Sequence, residues 1–339
     1  MKCSRMVPAL AAGCLLFVGC DVPTGLPELE QRWIVPVEEI SLPVDELLPD
    51  GVSISGGNFS VAIDPFATNE TLATLCGTCV AVNGLTVPSP AFAGSFSVSE
   101  NLPANVTAAQ IASGTIQIVI TNGLSFDPIA GGGTFTVTLS DGDGGAQLGQ
   151  VVVDGATESI PGNSSRTETL SIGSASIGTT FFASVSVVSV GGQVTTIDIT
   201  DEITVTATTT SLLVSSATVT VASQSVDFDP VELDLADIDS DITDHIQSGT
   251  LILDVVNPFG VSVDGTLNIG PTTKSFSIAS GSTSSTSISY TSSELQSFLG
   301  QDNITLSGSG TASGGSVTVS PGQEMLIEAT LDMTIRIGG

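Results

Sequence analysis

The sequence is short of positive charge, of aromatic rings and of histidine. Six Lys and Arg residues stand against 35 Asp and Glu, a formal net charge of −29. A surface of that sign repels phosphate backbones and anionic headgroups, so no nucleic-acid partner is expected. There is one Trp, one Tyr and one His. Sugar-processing enzymes stack substrates on aromatic rings, and so few rings argue against that class. His245 alone supplies little for general-base or zinc chemistry. Neither a Gly-x-Ser-x-Gly elbow nor a Ser-x-x-Lys motif occurs. Beyond the N-terminus no window of 18 residues is wholly apolar, so no transmembrane helix is expected there. A chain poor in aromatics but rich in Thr, Val and Ser is suited to an extended all-β protein, and its 41% apolar content is too high for disorder.

The first twenty residues are of a different kind. Lys2 and Arg5 precede a largely apolar run from Val7 to Val18, too short to span a bilayer comfortably. The run closes on Leu16-Phe17-Val18-Gly19-Cys20, which resembles the lipobox of bacterial lipoprotein precursors. The resemblance implies cleavage before Cys20, acylation of its thiol and amino group, and a firm membrane anchor. Asp21 follows, and the choice between inner and outer membrane of a Gram-negative-type envelope stays open. All 35 acids lie beyond Cys20, with only Arg32, Arg166, Lys274 and Arg336 to oppose them.

Cys3 and Cys14 leave with the signal and Cys20 takes lipid, so Cys76 and Cys79 remain. In an exported protein this Cys-Gly-Thr-Cys reads first as a small local disulfide that pins a turn. A redox centre would need a βαβ frame, and a zinc half-site two further ligands.

The body of the chain repeats itself. Ile111-Ala-Ser-Gly-Thr-Ile-Gln-Ile-Val-Ile-Thr-Asn122 returns 135 residues later as Ile246-Gln-Ser-Gly-Thr-Leu-Ile-Leu-Asp-Val-Val-Asn257. Each copy reads as a Ser-Gly turn feeding an apolar strand that ends at Asn. Ser55 to Phe66 reads as a faint third copy. A second pair of matching segments, beginning at Ser159 and Ser277, is offset by only 118, which requires about 17 extra residues in the first copy, assigned to the glycine-rich loop near Asp141. Ile197 to Ala207 alternates apolar and polar residues as a strand with one wet face. Thr291-Ser-Ser-Glu294 is a capping box before Leu295, Phe298 and Leu299, and predicts a short helix closed by Gly300.

These features predict an all-β protein of tandem antiparallel, Ig-like β-sandwich repeats with one or two short helices. The expected order is a signal peptide (1–19), a lipidated tether (20–36) whose Trp33 either staples it to the first domain or sits at the membrane interface, a small β-unit or donated strands (37–94), and repeats over 95–222 and 223–339. The run from Leu251 through Asn257-Pro258-Phe259, with the Gly-punctuated and Ser/Thr-rich strands after it, resembles the late-embryogenesis-abundant type 2 β-sandwich. Gly123 stands where that pattern has Pro258. The resemblance implies a sandwich of about seven strands with one helix and no catalytic residues.

Calcium is the one cofactor the residues suggest. Asp234, Asp237, Asp239, Asp241 and Asp244 crowd one stretch, and Asp237-x-Asp239-x-Asp241 imitates an EF-hand start. Ile242 and Ser248 occupy the positions where that loop needs Gly and Glu, so a solvated acidic connector is the alternative. Asp141 and Asp143 form a similar, smaller pair. The functional expectation is a non-catalytic envelope lipoprotein acting on an unidentified envelope protein or ligand. A carrier of an apolar ligand and a calcium-dependent adhesion module are the alternatives.

Overall fold

A computed structural model describes residues 28–337 apart from Glu38, Asp234, Ala236, Asp237, Asp239 and Asp302. The N-terminal strands are β1 (Leu29–Pro36), β2 (Ile40–Pro43), β3 (Val52–Ser55), β4 (Asn58–Val61), β5 (Phe66–Thr71) and β6 (Thr86–Pro88). The first repeat holds β7 (Phe92–Asn101), β8 (Val106–Asn122), β9 (Thr134–Asp141), β10 (Gln147–Asp154) and β11 (Ser164–Ile172). It continues with β12 (Ala175–Ile177), β13 (Thr180–Ser189), β14 (Val194–Thr196) and β15 (Glu202–Val221). The second holds β16 (Gln224–Leu233), β17 (Ile246–Val256), β18 (Ser262–Ile269), β19 (Thr272–Ile278) and β20 (Thr283–Thr291). It closes with β21 (Ile304–Ser313), β22 (Gly315–Val319) and β23 (Glu324–Ile337). The α-helices are single turns, α1 (Leu72–Leu75), α2 (Ser240–Thr243) and α3 (Ser292–Gln296).

The all-β expectation is borne out, and the duplication is visible in the sheets. The first sandwich sets β10-β9-β13-β7 against β11-β8-β15; the second sets β19-β18-β21-β16 against β20-β17-β23. Strand for strand the order is the same. The register carries the sequence offsets too. Asn122 pairs with Ser164, and Asn257 donates its N–H to the Ser282 carbonyl at 3.0 Å. Inward residues alternate as β-structure demands: Ile116, Ile118 and Ile120 on β8 and Leu251, Leu253 and Val255 on β17 are all buried.

Several local readings change. Ser113-Gly114 and Ser248-Gly249 are not turns; both lie inside long strands beside bulges. A Cβ on Gly114 would sit 3.0 Å from Leu212, and one on Gly249 3.0 Å from Leu295, so the glycines admit a close neighbour. The third copy is a hairpin, Ser55 opposite Asn58, turning through Gly56 and Gly57 with positive φ. Ile197–Asp201 is a turn, and the strand starts at Glu202. The extra residues of the first repeat are not concentrated at Asp141. Its loops 123–133, 142–146 and 155–163 face loops 257–261, 270–271 and 279–282 in the second, and each is longer. The capping box is present as expected, with Thr291 and Glu294 bonding reciprocally and Gly300 at φ +70°.

Residues 29–36 are not a tether. They form β1, paired along its whole length with β23. Residues 37–94 make no core of their own, since strands of three to six residues cannot bury a face alone. They cover edges instead. One edge of β15 runs along β8, and its other edge meets β5, then β4, then β22. β23 likewise has β17 on one edge and β2 then β1 on the other. Trp33 therefore staples the chain to the second sandwich, opposite Met333, and not to the first domain.

The pairing orders the molecule from end to end. Leu29 lies beside Ile337, so the first and last described strands meet at one pole of the second sandwich, the base. β23 begins at the other end of that sandwich, beside Val256, close to the turn that joins β15 to β16. From this junction β8 runs outward, Val106 opposite Val219, to Asn122 opposite Ile203. Asn122 marks the opposite pole, the tip.

Candidate functional site

The structural elaborations gather at the tip, and Asn122 organises them. Its side chain is 1% exposed. Oδ1 accepts the Leu124 N–H at 3.0 Å, and Nδ2 donates to the carbonyls of Phe126, Ile160 and Pro161 at 2.9, 2.8 and 3.1 Å. One amide thus ties loop 123–133 to loop 155–163. Asn257, equally buried, repeats the device with fewer partners. It accepts from the Phe259 N–H at 3.1 Å and donates to the Val261 carbonyl at 2.6 Å. The terminal Asn of the repeated phrase is a buried turn lock, because only an amide of this length satisfies a donor and an acceptor of the same loop.

Asp127 extends the lacing. Its carboxylate accepts the Ile129 and Ile160 N–H groups, each at 3.0 Å, and its carbonyl accepts Gln193 Nε2 at 2.5 Å. Ser125 Oγ reaches the Thr196 carbonyl at 2.8 Å. On the other side sits a cap made of α1 and the 3₁₀ turn Gly77–Val82, joined by the Cys76–Cys79 disulfide with Cα atoms 5.3 Å apart. Both cysteines are buried. The cap is bonded to the approach to β15: Leu72 N–H to Asp201 O at 2.8 Å, Ala73 N–H to Ile199 O at 3.0 Å, Gly84 N–H to Ile197 O at 2.8 Å. β6 and β14 pair across it as a two-stranded ribbon.

This end shows both apolar and acidic groups to solvent. Val80, Leu85, Val190 and Val194 are 50%, 52%, 49% and 72% exposed. Around them stand Asp154, Asp198, Asp201 and Glu202, while the nearby Arg166 is held between Glu158 and Glu168. The Thr200 hydroxyl and N–H hold the Asp198 carboxyl below the usual range. Burial, then repulsion from Asp198, pushes Asp201 up. Loops on a rigid sandwich that present exposed valines and carboxylates are suited to docking a partner.

The other sequence-derived candidates lie elsewhere. Cys20, Asp237 and Asp239 fall outside the described residues. Asp241 is exposed on α2, at the base. The Asp141 carboxylate accepts the Gly178 N–H at 2.8 Å and so fixes a turn at the junction. His245 is exposed at the base, its carbonyl accepting the Arg336 N–H at 2.9 Å. Among the described residues no group of three or more His, Cys, Asp or Glu is arranged to hold a metal ion.

Two of the clefts formed by the described residues stand out. One, about 450 Å³, lies on the outer face of the second sandwich between Glu39, Asp254 and Glu328. The other, about 430 Å³, lies where β15 bends past Gly51 and Ser60. Inside the second sandwich, the void between Phe228, Leu253, Leu267 and Phe276 measures about 10 Å³, room for no more than a water.

No protein-family model matches the chain, and no curated protein matches it. Among solved structures, a Parabacteroides distasonis protein assigned as secreted aligns over 89% of this chain and 99% of its own, at 9% identity and a TM-score of 0.35. An infectious bursal disease virus Gt strain structure aligns over 84% and 75% at 12% identity and a TM-score of 0.19. The N-terminal CBM22 tandem domain of Paenibacillus barcinonensis Xyn10C aligns over 88% and 97% at 10% identity and 0.16. Superpositions this loose carry no argument about function.

Proposed function

We propose that the protein is a lipid-anchored lipoprotein of a bacterial cell envelope, with a non-catalytic role in which the tip meets an envelope partner. The observation that carries this reading is polarity along the molecule. The chain enters the fold at the base, and two lengthened loops (123–133 and 155–163), the disulfide-pinned cap and the exposed valines lie at the other pole. An anchor at one pole and an adaptable surface at the other is the layout of a display stalk. The reading assigns no cofactor and no reaction. A carrier needs an enclosed pocket of several hundred Å³, and the 10 Å³ void in the second sandwich supports the stalk over the carrier.

Replacing Cys20 with Ser tests the anchor. The variant is expected in the soluble fraction after cell disruption while the parent sediments with membranes. Equal membrane association of both would end the lipoprotein reading.

A further inference from the structure

The base carries its own surface. Leu29 and Ile337 are register partners at the extreme end of β1 and β23, on one face of the sheet, 55% and 45% exposed. Ile34, 58% exposed, projects from the opposite face of β1, and Trp33, the only Trp, sits between it and Arg32. The same two strands hold Arg32 and Arg336, two of the four basic residues beyond Cys20. Arg32 is bound to Asp332, and the terminal nitrogens of Arg336 reach Glu28 and Glu30 while its Nε is buried without a partner. Exposed aliphatics, a Trp and long Arg stems gathered at one strand end are the composition of a membrane–water interface. Both ends carry carboxylates; at the base Glu28, Glu30 and Asp332 are paired with the two arginines, whereas at the tip, among the described residues, Asp154, Asp198, Asp201 and Glu202 form no ion pair.

Covalent geometry limits where this surface stands. Leu29 lies nine residue steps beyond Cys20, and a fully extended chain of nine steps spans about 30 Å. We infer that the β1–β23 end of the second sandwich rests on the bilayer that holds the anchor, with Leu29 and Ile337 entering the headgroup region and Arg32 and Arg336 at phosphate level. This rests on the lipoprotein reading of Cys20. The acidic remainder of the chain, repelled by anionic headgroups, favours an upright stance over a prone one.

Trp33 is a native reporter for the test. Full-length lipidated protein is reconstituted into vesicles of mixed phosphatidylcholine and anionic phosphatidylglycerol with either ordinary or brominated acyl chains; flotation reports the anchor and Trp33 emission reports the contact. The expected result is flotation, with Trp33 emission lower in the brominated vesicles. A Leu29→Ser/Ile337→Ser double variant should float equally, keep its far-UV circular dichroism and lose most of the quenching. Flotation with Trp33 emission equal in both vesicles would overturn the base contact and leave the anchor standing. Failure to float would overturn both. A Trp33→Phe/Val194→Trp variant, reporting from the tip, should escape quenching, and quenching there would overturn the upright stance.

Discussion

Asn122 and Asn257 occupy the same place in two copies of one fold and differ in how many backbone groups they satisfy, so their replacement measures that difference. Asn122→Ala strips the Leu124 N–H and the carbonyls of Phe126 and Ile160 of their side-chain partner, while the Pro161 carbonyl keeps the Ser164 hydroxyl. At about 1 kcal/mol for each buried group left without its bond, the loss is about 3 kcal/mol. Asn257→Ala strips only the Phe259 N–H and the Val261 carbonyl, for about 2 kcal/mol. Urea unfolding followed by far-UV circular dichroism reads both, and Trp33 emission reports the second sandwich separately. Asn122→Asp sharpens the comparison, because it keeps an acceptor for Leu124 but places a carboxylate among carbonyl oxygens. Its folded pKa would be raised above the unfolded value, since only the protonated form donates. The variant should therefore be most stable below about pH 4 and weaken as pH rises. Losses below about 0.5 kcal/mol for both Ala variants, or a larger loss at Asn257 than at Asn122, would refute the turn-lock argument.

Three further outcomes are expected. The Tyr290 hydroxyl is buried without a hydrogen-bond partner, and burial followed by the nearby Glu294 charge raises its pKa to about 12. Tyr290→Phe should leave stability unchanged or raise it by up to about 1 kcal/mol, and should remove the part of alkaline destabilisation that falls between pH 10 and 12; a loss above that size in urea unfolding contradicts this. The Lys274 ammonium, at 2.7 Å, and the Thr291 N–H and hydroxyl hold the Glu294 carboxylate down to about 2. That depressed pKa contributes stability above about pH 4.5 which is lost as pH falls towards 2, so Glu294→Gln should flatten the acid limb of a melting-temperature profile; an unchanged limb would count against it. Cys76→Ser/Cys79→Ser opens a loop of only four residues and should cost roughly 2 kcal/mol on chain-entropy grounds, with the sandwiches still folded by circular dichroism.

The duplication was the most legible feature, because the 135-residue offset is written in letters that each do the same physical work twice. Asn122 and Asn257 lock turns, Gly114 and Gly249 admit a neighbouring leucine, and the alternating aliphatics between them face the core. The helix at Thr291 was legible for a local reason as well, since both halves of its cap lie within four residues. What escaped was edge pairing. Nothing within Leu29–Pro36 distinguishes an edge strand from a Pro-rich tether, since its partner lies some 300 residues away and its own side chains are mostly exposed. The Ser-Gly pairs were misread for a similar reason. A glycine chosen for a close approach looks the same in sequence as one chosen for a turn, and only the position of Leu212 or Leu295 tells them apart. The tip was legible only as leftover loop length, because loops 123–133 and 155–163, the cap and the β6–β14 ribbon are brought together by the sandwich and share no motif.

The pairing of β1 with β23 has a consequence for biosynthesis. Synthesis proceeds from the N-terminus, so Leu29 emerges long before Ile337, the last described residue, and must wait for it before finding its place. Contacts of such separation form late and slowly. A chain cut short by its final strand would leave β1, β2 and β17 each with an unpaired edge, open to proteases and to pairing with other chains. The edges of that sheet close only when β23 arrives.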